Sequence, residues 1–165
     1  MTRRGRIAVL QLSTRLGGPR RRGLYALVAV LVATGAAWLW LHDMRPADSL
    51  PSPIEPWMMK LHGAAALLAV YLLGTMLHGH MLNAWHRRQN RISGGVAAAA
   101  VLLLAASGYG LYYFGGDALR SATEWLHWVA GFALPPLLWW HIRSGRLAIG
   151  GHASSGRARW RRRER

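Results

Sequence analysis

Hydrophobic and polar positions along the chain fall into four long stretches free of Asp, Glu, Lys and Arg, separated by short polar connections. The stretches cover residues 24–41, 61–85, 92–116 and 125–142, or 18, 25, 25 and 18 residues. A bilayer core about 30 Å thick takes roughly 17–25 apolar residues of helix, so each stretch is long enough to cross one. None alternates with period two along its length, which argues against barrel strands. With their aromatic flanks, the pattern predicts spans over about 24–41, 57–85, 92–116 and 124–142. The fold class expected is all-α, an integral membrane four-helix bundle. The core would cover residues 23–142, between basic tails at 1–22 and 143–165.

A weak internal repeat divides the four spans into two helical hairpins. The first span ends Ala33-Thr-Gly-Ala-Ala-Trp-Leu-Trp-Leu and the third ends Ala106-Ser-Gly-Tyr-Gly-Leu-Tyr-Tyr-Phe. Each is followed by an acidic connection and a returning helix that opens on an aromatic and then a histidine: Trp57 before His62, Trp125 before His127. The second and fourth spans therefore run in the same direction.

Charge then orients the bundle. Arg3, Arg4, Arg6, Arg15, Arg20, Arg21 and Arg22 precede the first span; Arg87, Arg88 and Arg91 join the second to the third; Arg143, Arg146, Arg157, Arg159, Arg161, Arg162, Arg163 and Arg165 follow the fourth. Only Arg45, Lys60 and Arg120 fall on the opposite side, together with Asp43, Asp48, Glu55, Asp117 and Glu124. Lys and Arg accumulate on the cytoplasmic side of membrane proteins, so both termini are expected in the cytoplasm, with the chain in a bacterial inner membrane. Trp residues cluster near both ends of the spans, as an aromatic belt requires. The first span exceeds the apolar length of a cleaved signal, and Ala33-Thr-Gly-Ala36 is a poor cleavage site, so it is expected to stay as a helix.

Composition narrows the chemistry. Apolar residues make up 52% and charged residues 16%, against about a quarter charged in soluble domains. The chain has no Cys, which removes disulfides, thiolate zinc sites, Cys-ligated iron–sulfur clusters and c-type haem attachment. The net charge of +15 raises nucleic acid as a partner, but that calls for a folded basic face or a motif, and Trp160 alone supplies neither. The expectation is no nucleic acid. The tails set topology and attract anionic lipids, each cation near the surface contributing about 1 kcal/mol. Residues 7–12 form a brief segment that fits an interfacial amphipathic turn.

Five of the eight His lie inside the spans: His62, His78 and His80 in the second, His127 and His141 in the fourth. Ionisable residues at membrane depth are costly and point to function by default. His127 and His141 are 14 residues apart, nearly one helix face, with a rise of about 21 Å. His62 and His80 are 18 apart, again one face, with a rise of about 27 Å. Phase favours His80 over His78 as partner for His141, while depth favours His78; Met76 is also in phase with His62. Pro135-Pro136, midway along the fourth span, is expected to kink it. Two imidazoles facing each other between parallel helices, with no third protein ligand, suit a planar macrocycle that supplies four ligands of its own. The cofactor expected is therefore haem b, two copies, with axial ligands His62 and His127 at the outer site and His80 and His141 at the inner. Gly63, Gly74, Gly108, Gly110 and Gly131 would let a porphyrin approach backbone, although small residues also serve helix packing. Lys60, Arg120 and Arg143, together with Arg87 and Arg88, are candidate propionate contacts, although topology alone also explains these cations. His86 and His152 read as surface residues and His42 as a substitute ligand.

The stretch from Glu124-Trp-Leu-His127 to Trp140-His141 resembles the last helix of bacterial four-helix cytochromes b of the cytochrome b561 and formate-dehydrogenase gamma type. Leu61-His-Gly63 through His80, Asn90-Arg-Ile-Ser-Gly-Gly95 and Ser107-Gly-Tyr-Gly-Leu-Tyr-Tyr113 resemble small haem-b membrane proteins of the same superfamily. The resemblance covers roughly residues 24–146 and implies electron carriage across the membrane. It departs from the cytochrome b561 pattern in that the first span has no His. Two His on each of two helices are closer to the cytochrome b of quinol–cytochrome c complexes. The expected partners are the lipid bilayer, a periplasmic or membrane redox protein and, as donor, quinone. Connections of residues 42–60 and 117–124 leave no room for a second catalytic domain, so an electron-transfer subunit of an oxidoreductase is expected rather than a complete enzyme. Two other classes remain: a haem-free scaffold or assembly subunit whose His bond across helices, and a small transporter or metal channel, which would want carboxylates within the spans.

Overall fold

The computed structural model describes residues 17–46, 48–86, 88 and 90–163, with side chains described up to residue 147. The first basic cluster up to Arg15, residues 7–12, Arg87, and the side chains of His152 and Trp160 lie outside the described residues. Every element among the described residues is helical. Helix α1 runs Gly18–Asp43, α2 Ile54–Met76, and a π-helical segment Leu77–Leu82 carries α2 into the single turn α3, Asn83–His86. Helix α4 follows at Arg91–Tyr113 and α5 at Asp117–Arg163.

Local chemistry sets the boundaries. Pro19 stands at the start of α1, where its missing N–H costs no hydrogen bond. Pro46 follows the last turn, and Met44 N–H closes that turn on the Trp40 carbonyl. The start of α2 is held by Glu55, whose Oε1 accepts the Ser52 N–H at 2.9 Å and whose Oε2 meets Arg45 at 3.4 Å. This joins a helix cap to an ion pair across the connection. At the other end of the hairpins, Arg88 and Asn90 both adopt left-handed backbone. Arg91 Nε donates to the Trp85 carbonyl at 2.9 Å while its guanidinium lies over the Trp85 ring.

Helix α1 packs along α2, and α4 along α5; between the hairpins, α1 meets α5 much more sparsely than the helices of one hairpin meet each other. The buried apolar positions among the described residues are Ala65, Ala69, Met76, Ala97, Ala130 and Leu134, and the buried polar ones are Thr34, Glu55, Ser93, Ser107 and Thr123. Large apolar side chains point outward instead, with Leu67 75%, Leu102 70% and Ile92 78% exposed. A small-residue interior under an apolar surface is the arrangement that lipid selects, because burying Leu against protein gains nothing over burying it in acyl chains.

Three helical runs, Gly18–Asp43, Ile54–His86 and Arg91–Tyr113, are long and apolar enough to cross a membrane. The chain therefore fits a multi-pass membrane protein in a lipid bilayer. The fourth expected span differs: Trp125, Trp128, Trp139, Trp140, His127, His141, Pro135 and Pro136 lower its hydropathy below that of the other three. Helix α5 is also far longer than its apolar part. It continues through Pro135-Pro136 and on past Ile142 to Arg163, so the basic segment expected as a tail is helical over most of its length. Backbone hydrogen bonding does not require an apolar stripe, and no proline follows Pro136 to end the helix.

Candidate functional site

The structure brings four histidines together as two pairs. His62 on α2 faces His127 on α5 with ring centroids 6.2 Å apart and planes at 66°. His80, in the π-helical segment, faces His141 on α5, again at 6.2 Å, with planes at 81°. His78 is exposed on the same segment and takes no part in the pair. Met76, in phase with His62, is buried in the last turn of α2.

The π-segment lies inside the longer interval on α2. Hydrogen bonds from i to i+5 put more residues into each turn than an α-helix does. The segment takes up about one of the four residues by which the 18-residue interval from His62 to His80 exceeds the 14 on α5. Spacing alone could not reveal it, because phase arguments assume one pitch throughout.

Three of the four imidazoles are fixed from behind by a hydroxyl on the neighbouring helix of their own hairpin. His62 Nδ1 lies 3.0 Å from Thr34 Oγ1. That hydroxyl donates to the Val30 carbonyl at 2.7 Å, so it accepts from Nδ1–H. His127 Nδ1 lies 2.8 Å from Ser107 Oγ, which donates to the Leu104 carbonyl. His141 Nδ1 lies 3.1 Å from Ser93 Oγ. With Nδ1–H donating at His62 and His127, Nε2 is the nitrogen left with a lone pair in those two rings, and a metal-bound His is ordinarily oriented through such a bond at its other nitrogen.

A glycine follows each of these hydroxyls and lies against the same ring. A Cβ added at Gly35 would meet His62 Cε1 at 3.4 Å, one at Gly108 would meet His127 Cε1 at 3.5 Å, and one at Gly94 would meet His141 Cε1 at 3.4 Å. The unit is therefore Thr34-Gly35, Ser107-Gly108 and Ser93-Gly94: a small hydroxyl residue that bonds the ring and a glycine that makes room for it. Of the glycines singled out in the sequence, only Gly108 plays this part. Gly131 faces Leu104, Gly110 faces the Phe114 ring, and a Cβ at Gly63 or Gly74 meets nothing within 4 Å. Sequence reasoning missed Gly35 and Gly94. The Thr-Gly and Ser-Gly steps at Thr34-Gly35 and Ser93-Gly94, which repeat Ser107-Gly108, were their visible signal.

The candidate propionate cations are engaged locally. Lys60 Nζ lies 4.6 Å from the Trp57 ring, Arg143 stacks on Trp139 at 5.3 Å, and Arg120 donates to the Leu111 carbonyl at 3.1 Å. His42 stacks on Trp38 at 4.7 Å, and His86 Nδ1–H donates to the Leu82 carbonyl at 2.7 Å. Neither belongs to a pair.

The paired geometry can be tested against a shared metal. Metal–imidazole bonds of about 2.0–2.1 Å, with ring atoms about 1.1 Å from the centroid of a five-membered ring of ordinary bond lengths, place trans imidazole centroids about 6.3 Å apart. Both pairs match. Among the described residues no group of three or more His, Cys, Asp or Glu converges on one point. Each pair thus offers two nitrogens, and a metal bound there would take its remaining ligands from elsewhere. No protein-family model, curated protein or solved structure matches the chain.

Proposed function

We propose that this chain is an integral membrane cytochrome b: a four-helix bundle with both termini in the cytoplasm, holding two haem b groups and carrying electrons across the bacterial inner membrane. The observation that supports it most is the repetition of one separation, 6.2 Å, at two histidine pairs on helices that otherwise keep apart. His62 and His127 would hold the outer haem, His80 and His141 the inner. Bound there, haem supplies reversible one-electron chemistry at iron.

The chain's own residues do the rest. Thr34 and Ser107 would fix the tautomer and rotation of their imidazoles and so raise ligand basicity, and Ser93 would fix the rotation of His141. Gly35, Gly108 and Gly94 let the rings sit close to backbone. The apolar span lowers the dielectric around each site, which with the axial ligands sets potential. His127 and His141 lie 14 residues apart on α5, about 21 Å of rise, which would put one site toward each face of the membrane. Quinone as donor and a periplasmic redox protein as acceptor complete the proposal, with the chain acting as a subunit of a larger oxidoreductase.

The test is a reduced-minus-oxidised visible spectrum of detergent-purified protein. Sharp b-type α and Soret bands are expected; a folded, colourless protein made with haem available overturns the proposal. The hydroxyl bonds to His62, His127 and His141 also favour a second reading, a haem-free scaffold that uses them for helix packing. That reading expects normal folding in His62→Ala and His127→Ala and no pigment in any form.

A further inference from the structure

A groove of about 780 Å³ runs between α1 and α5, lined by apolar side chains including Val28, Val32, Pro135 and Leu138, and none of the four paired histidines lines it. Arg143 and Arg146 close one end, beside Tyr25. Its volume is that of a single-ligand site, which typically measures about 300–1,000 Å³. From Pro135 to Arg146 the lining spans 11 residue steps of α5, a rise of about 16 Å. That is close to one leaflet of a hydrocarbon core about 30 Å thick.

From this groove we infer that the chain holds one anionic phospholipid, its phosphate between Arg143 and Arg146 and an acyl chain along Val28, Val32 and Leu138. The charge is matched and one-sided, because no Asp or Glu lines the groove. Stacking on Trp139 holds the Arg143 guanidinium, which lowers the entropy cost of fixing a headgroup. Basic pockets between membrane helices are a recurring form of headgroup recognition. The inference rests on the membrane character of the helices and not on the histidine pairs.

The experiment uses the full chain reconstituted into vesicles of equimolar phosphatidylglycerol and phosphatidylcholine, extracted in mild detergent and weighed by native mass spectrometry. About one retained phosphatidylglycerol per chain is expected. Arg146→Gln should lower that occupancy at least about fivefold by removing charge. Ala29→Phe should do the same by filling the groove with all charges kept, with helicity checked by circular dichroism. Equal retention of the two lipids, or phosphatidylglycerol occupancy unchanged in Arg146→Gln, overturns the inference. Pigment is read on the same samples: a colourless protein that keeps its phosphatidylglycerol supports the lipid site while contradicting the cytochrome proposal.

Discussion

His80 and His141 meet with ring centroids 6.2 Å apart, the same separation as His62 and His127, although the interval is 18 residues on α2 and 14 on α5. A π-helical turn at Leu77–Leu82 lies inside the longer interval and takes up about one of its four extra residues. Such turns are frequent at functional sites and rare elsewhere. Here it carries both His80, which faces His141, and His78, which is exposed.

Removing one residue from that turn tests its role. Deletion of Gly79 relaxes the segment toward α-helical winding and so changes the turn that carries His80. The expected outcome is loss of the inner haem with the outer one retained, read as a fall from two haems per chain to one. His78→Ala should leave both.

The hydroxyls behind the rings make a second prediction. Ser107→Ala strips the bond to His127 Nδ1, and Thr34→Val strips that to His62. Loss of such an outer partner typically weakens metal-centre affinity about 10–100-fold. Haem dissociation measured by transfer to apomyoglobin should accelerate to that extent, and the site's midpoint potential should shift. Thr34→Ser, which keeps the bond, should restore both.

The glycine beside each hydroxyl should tolerate little. Gly108→Ala puts a Cβ 3.5 Å from His127 Cε1, an ordinary contact, and is expected to retain pigment. Gly108→Val adds branches where the ring lies, and should displace it and empty the outer site. Haem content of the two variants at equal helicity decides this.

Glu55 is 5% exposed and joins Ser52 N–H to Arg45. Glu55→Ala removes a helix cap and leaves that N–H to solvent, at a cost of about 0.5–2 kcal/mol. Arg45, whose side chain is 25% exposed, forms the weaker, solvent-screened half, so Arg45→Ala should cost less, about 0–1 kcal/mol. Thermal unfolding in detergent, followed by circular dichroism, ranks the two.

Much of this was legible in the sequence because membrane helices advertise themselves by what they omit. Charge-free runs locate α1, α2 and α4, and the period of the helix places His62 with His80 and His127 with His141. The fourth span was legible as a length, but its Trp, His and Pro content separates it from the other three in hydropathy. The π-turn was not legible, because LHGHML differs little in propensity from its surroundings. Nor was the service of Thr34, Ser107 and Ser93, since a small hydroxyl in a membrane helix reads equally as packing. The partners of Lys60, Arg120 and Arg143 are set by whichever ring or carbonyl a long side chain reaches, which spacing does not encode.

The central claim is that each histidine pair holds one haem. Pyridine haemochrome quantitation on the wild type and on single His→Ala variants tests it most directly. Two haems per chain are expected in the wild type. His62→Ala and His127→Ala should each leave the same one, and His80→Ala and His141→Ala should each leave the other. A wild-type value of zero in folded protein, or a His80→Ala variant that keeps both haems while His78→Ala loses one, would contradict the pairing.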